Sequence, residues 1–364
     1  MPQKDAPASD TEPPGASGDA EAAVHTDETF VSLGYIDCLQ YCLQQRDRLY
    51  PKALLMGVSG ESFRLCYDRN DPERGLQVVS HNPLRAACAA LGYDADVVYH
   101  RELEHAVTGL AEDLAARGCA IVHTEVDWVV VQPDAADPAR VLARLPDGRS
   151  QAWQLSHLKQ TWLREPGLLE LGLEGYYHFV VGDKEREPDE REAAMASLRR
   201  GVRLLMRRSR IDGCAAGIAA YEEVADSLLR KQRGEERQAR TVQKYALWNA
   251  LPLCYIRDSR RSAASYLTMI QAHFDEQEAR EHLQKAADAY RQAVQALSDL
   301  PMLDHAFADP EAAQARRTRR KAIRNFSFLR RRAAGRMRRA RRAEEEALLE
   351  IRRALEAAER KDKE

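Results

Sequence analysis

The periodicity of the apolar residues changes twice along this chain of 364 residues. Between residues 119 and 184, β-branched and aromatic residues form short alternating runs, which are separated by Pro-Asp, Asp-Gly and Gly-Asp turns. Before this block, and again from Glu190 onward, apolar residues recur every three or four positions. Alternation predicts antiparallel strands, and the longer period predicts amphipathic helices. We therefore expect an α+β fold in which N-terminal helices precede an antiparallel sheet and an all-α helical region follows it.

Shifts in composition divide the chain further. Residues 1–27 are small, polar and rich in Pro, Gly and Ser, which predicts a disordered N-terminal tail. The expected organisation is then an α+β domain over 28–187, a helical extension over 188–310 and a long amphipathic helix over 311–364. Within the extension, Pro252 falls inside an otherwise helical pattern and is expected to kink or break the helix.

The composition excludes several classes of protein. Hydrophobic residues make up 44% and charged residues 31%, as in helix-rich soluble proteins. No apolar run approaches the roughly 18–20 residues of a membrane span. Seven cysteines without Cys-x-x-Cys pairs argue against a disulfide framework and a zinc site, and they favour a reducing cytoplasm. The chain carries no glycine-rich phosphate loop, His-Glu-x-x-His or complete Gly-x-Ser-x-Gly motif, so we expect neither a cofactor nor a metal.

Several short stretches together resemble a known family. They are DCLQYCL, LLMGVSGESFRLCYD, AACAALGYD, GCAIV and DWVVV, and they are similar to the papain-like domain at the N-terminus of butirosin-type acyltransferases. They also resemble related uncharacterised bacterial proteins, which are in turn similar to bacteriocin-processing cysteine peptidases. The later stretch GIAAYEEVADSLL resembles the helical extension of those uncharacterised relatives. The resemblance covers roughly residues 30–300, and its opening stretch is the most specific part.

The resemblance implies a papain-like cysteine-protease fold and a set of candidate catalytic residues. In that fold the nucleophilic cysteine lies at the start of the first helix, where the helix dipole favours the thiolate, and Cys38 stands at this place. The general-base histidine normally begins a strand of the sheet, but Asp127 stands at that position in DWVVV. His123 and His178 are the alternative bases, and Asp127 is available to orient either of them.

The resemblance also implies a substrate pocket beside the first helix. The small-residue turn would lie against that helix, so that Gly57, Ser59 and Gly60 shape the pocket floor and Phe63 stands behind them. The simpler interpretation is that the glycines only permit a tight turn between two core segments.

Two functions follow from these residues. The first is a bacterial acyltransferase, or an amide- or peptide-processing protein of secondary metabolism, that acts through Cys38 in the cytoplasm. Its partner would be an acyl-carrier protein, a small molecule or a peptide. The alternative is a catalytically inactive papain-like binding or scaffold protein, which the aspartate at position 127 favours.

An arginine-rich segment lies near the C-terminus. Residues 316–342 contain no acid, while Ile323, Phe326, Leu329 and Met337 recur at helical spacing as an apolar stripe. The basic face suits nucleic acid, an anionic membrane surface or an acidic partner, and the sparse aromatic residues make nucleic acid the least favoured. Because the apolar stripe extends beyond the basic block, we expect the helix to pack on the protein.

Overall fold

The computed structural model describes residues 34–46, 48–70, 82–125, 127–145, 148–165, 174–211, 213–229, 239–298 and 316–361. Their fold is α+β, with an antiparallel sheet and a helical C-terminal part, as the periodicity predicts. The disordered tail expected over 1–27 lies outside the described residues. In the part of the chain that is described, no helix combines the length and the apolar character of a membrane span.

The helices before the central strands are α1 (Gly34–Arg46), α2 (Lys52–Ser59), α3 (Pro83–Leu91) and α4 (Leu103–Arg117). Local sequence sets both ends of α3. The Asn82 side chain accepts a hydrogen bond from the Arg85 N–H at 2.9 Å, and Pro83 occupies the first helical position. Gly92 ends the helix with a φ of 83°, a conformation that glycine adopts at no steric cost.

In chain order the strands are β1 (Cys66–Tyr67), β2 (Tyr93–His100), β3 (Ala120–His123), β4 (Trp128–Pro133), β5 (Arg140–Arg144), β6 (Ser150–Gln154), β7 (Tyr176–Lys184) and β8 (Ala215–Ala216). Six of them form one sheet in the order β2-β7-β3-β4-β5-β6, and every neighbouring pair is antiparallel. The short strands β1 and β8 pair with each other separately.

The two faces of the six-stranded sheet cover different cores. Ile121, Val130 and Phe179 belong to the core that includes the buried residues of α1. Their neighbours Val122 and Val180 belong to a second core, which includes the buried residues of α4. Because successive strand residues point to opposite faces, the position of a residue along its strand decides which of the two cores it meets.

The remaining helices are α5 (Leu155–Thr161), α6 (Glu190–Leu205), α7 (Ala219–Leu229), α8 (Ala239–Ile270), α9 (Gln277–Ser298) and α10 (Arg316–Lys361). Helix α9 packs against both α8 and α10, and α10 also packs against α7. Helix α8 continues through Pro252, so the break that we considered there does not occur. A proline removes one backbone hydrogen bond from a helix, and packing on neighbouring helices can offset that loss.

Helix α10 packs on the protein through its apolar stripe, as expected. Met337 and Ile351 are completely buried among alanines of the same helix and residues of the helices it contacts. Arg338 and Arg341 of its basic half bond to the Glu222 carboxylate of α7 at 2.8 and 3.0 Å. The side chains of the three earlier stripe residues, Ile323, Phe326 and Leu329, lie outside the described part.

The turn after α2 docks on α8. Glu61 and Arg64 form a fully buried ion pair, with 2.7 Å between Oε2 and Nε, and the Tyr255 hydroxyl donates to the same carboxylate at 3.2 Å. The Arg260 guanidinium donates to the carbonyl oxygens of Ser62 and Arg64 at 3.3 and 2.9 Å. The α+β part and the helical part therefore share one hydrophobic core.

Candidate functional site

Cys38 lies in the second turn of α1 and is only 3% exposed. Burial raises the pKa of its thiol well above the ordinary value, and the nearby carboxylates of Asp37 and Asp127 raise it further. The Arg144 guanidinium acts in the opposite direction, but its effect is the smallest of the four. Cys38 is therefore a protonated thiol at neutral pH, whereas nucleophilic catalysis requires the thiolate.

Asp127 lies against the first residue of α1 rather than against Cys38. Its backbone is fixed by the β3–β4 turn, in which the backbone N–H and the hydroxyl of Thr124 both donate to the Asp127 carbonyl, at 3.0 and 2.8 Å. A Cβ atom added to Gly34 would lie 2.5 Å from Asp127 Oδ1. Cys38 is four residues further along the helix, which is a rise of about 6 Å.

The Asp127 carboxylate has a local role in this position. Its Oδ1 atom accepts a hydrogen bond from the Trp128 N–H at 2.7 Å. Burial raises the pKa of the carboxyl group, and the hydrogen bond from Trp128 opposes that shift. The positive end of the α1 dipole favours a carboxylate at this site. Asp127 therefore fits a structural anion at a helix start better than a base for a thiol.

His123 is oriented by a residue that the sequence did not indicate. It ends β3 opposite Trp128, and the two rings stack with centroids 4.4 Å apart. Its Nδ1 atom is in close contact with Glu165 Oε1, and both side chains are largely buried. Glu165 reaches this position because the segment after α5 returns along β3, where the Leu163 N–H donates to the His123 carbonyl at 3.0 Å. No motif in the sequence marks this return.

Cys38 and His123 line different cavities. His123, Asp127 and Glu165 line a cavity of about 300 Å³ beside the β3–β4 turn. Cys38 lines a cavity of about 160 Å³ between α1 and β5, and the two sets of lining residues have no member in common. The structure therefore brings His123 and Asp127 together, but it does not bring either of them to the cavity at Cys38.

His178 lies on the other face of the sheet. Its neighbour Phe179 faces the core of α1, whereas His178 meets Asp113 of α4, with 2.7 Å between Nε2 and Oδ2. Its ring also stacks on His100 at 6.1 Å between centroids. Burial lowers the pKa of the imidazole, although Asp113 acts to raise it. Since the sheet lies between them, His178 is not placed to act as a base for Cys38.

The four residues expected to form a substrate pocket are all buried. Gly57 and Ser59 lie at the end of α2, and Gly60 and Phe63 lie in the turn after it, which docks on α8. Gly57 lies against the Tyr266 ring, and Phe63 lies within 2.8 Å of the Cβ position of Gly201. Gly60 ends α2 with a φ of 91°, and the Ser59 hydroxyl donates to the Met56 carbonyl at 3.0 Å. None of the four lines the cavity at Cys38 or the cavity at His123. Gly60 therefore has the role that the simpler interpretation gives it, whereas Gly57 lies within α2 and leaves room for the Tyr266 ring.

Arg144 is a second residue that the sequence did not single out. It pairs with Val130 across β4 and β5, which puts it on the face of the sheet that α1 covers. Its guanidinium carbon lies 4.2 Å from the centroid of the Tyr41 ring, and both residues line the cavity at Cys38. The register of a strand relative to its neighbour is what selects this arginine, and register is not visible in one sequence.

The described residues of the site give no sign of a metal, and the chain has no match among known families. Within the described residues, no group of three or more His, Cys, Asp or Glu side chains is arranged to hold a metal ion. Neither the known protein-family models nor the curated proteins give a match to this chain.

Proposed function

We propose that this chain is a papain-like binding protein that does not use cysteine catalysis. The observation that carries the proposal is the contact between Asp127 and Gly34. In a papain-like enzyme, the nucleophile at the start of the first helix faces the base at the start of a sheet strand. Here the residue at the start of the helix has no side chain, and the residue facing it is a carboxylate.

The environment of Cys38 supports the same proposal. The cysteine is one helical turn away from the contact, it is buried, and its pKa is raised. The histidine on the same face, His123, bonds to Glu165 and lines another cavity. An acyltransferase or peptidase that acts through Cys38 would need a thiolate and an adjacent base. The raised pKa of Cys38 disfavours the thiolate, and among the described residues no histidine lines its cavity.

The wider proposal keeps the organisation that the resemblance implies. The sheet and the N-terminal helices form the papain-like part, and the helical region docks on it through the turn after α2. A bacterial secondary-metabolite pathway and a cytoplasmic location belong to the proposal, and the free thiols of all seven cysteines support a reducing compartment. An acidic protein such as an acyl carrier is the partner that suits the exposed arginines of α10.

Acylation of Cys38 tests the proposal. The native protein and Cys38→Ala are incubated with a short acyl thioester, and intact-mass spectrometry measures any covalent adduct. Acyl transfer would form a bond between the acyl carbon and Sγ of Cys38 and release the donor thiol. We expect no adduct on the native protein beyond that on Cys38→Ala. An adduct located on Cys38 by peptide mapping would overturn the proposal.

A further inference from the structure

Arg144 is a cation without an acidic partner in the described part of the chain. Its observed contact is with the face of the Tyr41 ring, at 4.2 Å. The acid that lines the same cavity, Asp37, is paired with Lys52 at 2.6 Å between Nζ and Oδ1. A half-buried guanidinium that faces a cavity without a carboxylate partner retains its donors for a ligand.

The Arg144 side chain is held in place before any ligand arrives. Strand β5 fixes its backbone between β4 and β6. The Tyr41 ring below it is fixed in turn, because its hydroxyl donates to Gln132 Oε1 at 3.2 Å. A guanidinium that is already oriented loses little conformational freedom on binding, and its planar fork matches the two oxygens of a carboxylate.

The rest of the cavity wall carries both polar and apolar side chains. Gln40 and Gln44 line it beside the Tyr41 ring, together with Val130 and Leu145, which are almost completely buried. The volume of about 160 Å³ is well below the several hundred Å³ of pockets that enclose drug-sized molecules. The cavity therefore has room for a carboxylate and a short aliphatic chain.

We propose that the cavity between α1 and β5 binds a short-chain aliphatic carboxylate through Arg144. This inference rests on the proposed function, because it assigns the cavity at Cys38 to ligand binding rather than to catalysis. A phosphate is disfavoured, since its greater charge is usually held by several donors and Arg144 is the sole Lys or Arg among the lining residues that are described. A carboxylate can be held by the guanidinium of a single arginine.

Binding of butyrate to the full-length protein tests the inference. Calorimetric titration and thermal shift would compare butyrate, butyramide and inorganic phosphate at the same ionic strength. We expect saturable binding of butyrate at millimolar concentrations, and at least about tenfold weaker binding of butyramide, because the charge-assisted pair is lost. Phosphate that bound as tightly as butyrate would overturn the assignment to a carboxylate. No saturable binding of butyrate would overturn the inference as a whole.

Three variants separate the role of Arg144 from a general effect of charge. Arg144→Gln is expected to weaken butyrate binding at least about tenfold. Arg140→Gln removes the same charge from the same strand outside the cavity and should leave butyrate binding unchanged. Arg144→Lys keeps the positive charge but lacks the planar guanidinium, so it should bind butyrate with intermediate affinity. It also provides a test if Arg144→Gln does not fold. Equal binding by Arg144→Gln, or by Arg144→Lys if the glutamine variant is unfolded, contradicts the inference.

The result of the butyrate experiments is independent of the acylation experiment that tests the proposed function. Acylation of Cys38 is measured without butyrate, so an adduct would reject the non-catalytic proposal whatever butyrate does. Absence of butyrate binding, with no adduct on Cys38, would reject only the assignment of the ligand.

Discussion

Asp127 Oδ1 occupies the space in which the side chain of any residue other than glycine at position 34 would begin, because a Cβ there would lie 2.5 Å from it. The start of α1 and the start of β4 can approach each other this closely because Gly34 has no side chain. The contact thus explains why position 34 is a glycine. It also makes stability a direct readout of the geometry on which the proposed function depends.

Gly34→Ala should destabilise the protein by about 1–3 kcal/mol, since the added methyl group overlaps the carboxylate. Adding Asp127→Ala should recover most of that loss, because the alanine leaves space for the methyl group. Chemical denaturation of the two single variants and the double variant measures the coupling. Gly335→Ala in α10 is the control: a Cβ there meets nothing within 4 Å, so it should stabilise the helix by about 0.5–1 kcal/mol. Equal stability of Gly34→Ala and the native protein would mean that the contact is not present in solution.

Glu61→Gln should cost about 3–5 kcal/mol of unfolding free energy, because it leaves the buried Arg64 charge without its carboxylate. The matched control is Glu187→Gln, which removes the acid from an ion pair of the same spacing at the surface, with Glu187 86% exposed. We expect the control to change stability by at most about 1 kcal/mol. Urea denaturation of both variants decides the point, and similar losses would show that the turn is not docked on α8 as described.

His178 should make the protein less stable as the pH falls. Burial lowers the pKa of this imidazole in the folded protein, so the unfolded chain, in which histidine titrates near about 6.5, binds the proton more readily. The stabilising contribution is then complete above about pH 6.5 and is lost as the pH falls through that value toward the folded pKa.

The measurement is the difference in unfolding free energy between the native protein and His178→Gln from about pH 7.5 to 5.5. Asp113 and His100 face the imidazole from α4 and β2 and stay in place in both proteins. The native protein should lose more stability over this range than the variant. Parallel curves would show that His178 does not carry the pH dependence.

Met337→Ala should destabilise the protein by about 2–5 kcal/mol, because it removes a fully buried side chain from the contact between α10 and the helical block. Phe328 lies on the same helix but is 64% exposed, so the stability of Phe328→Ala should stay within about 0.5 kcal/mol of that of the native protein. Thermal unfolding of the two variants compares them. If Phe328→Ala were the more destabilising, the buried face of α10 would be incorrectly assigned.

The local elements could be predicted from the sequence, while their pairing could not. Alternation located β3, β4 and β7, and the proline and glycine of α3 marked both of its ends. Asp127, which the resemblance places at the start of a strand, directly precedes β4 and lies against Gly34 of α1. Which residue of α1 faces Asp127 depends on how β4 is positioned along the helix. A shift of one helical turn separates Gly34 from Cys38.

Residues that act across long sequence separations were the ones missed. Glu165 meets His123, and Arg144 meets Tyr41, only after the sheet has folded, and neither lies in a recognisable motif. His178 was a plausible base by residue type alone, but its place between Tyr177 and Phe179 turns it to the opposite face. The sequence marks Gly57 as unusual, yet the Tyr266 ring that packs against it belongs to α8, far along the chain.

The pH dependence of Cys38 alkylation tests the central claim most directly. Iodoacetamide is applied to the native protein across neutral and alkaline pH, and peptide mass spectrometry follows Cys38 and the less buried Cys254 as an internal reference. We predict that Cys38 reacts more slowly than Cys254 at every pH and that its rate rises only above the usual thiol pKa of about 8.5. Rapid alkylation of Cys38 at neutral pH, with a rate that levels off below that value, would show a catalytic thiolate and contradict the account.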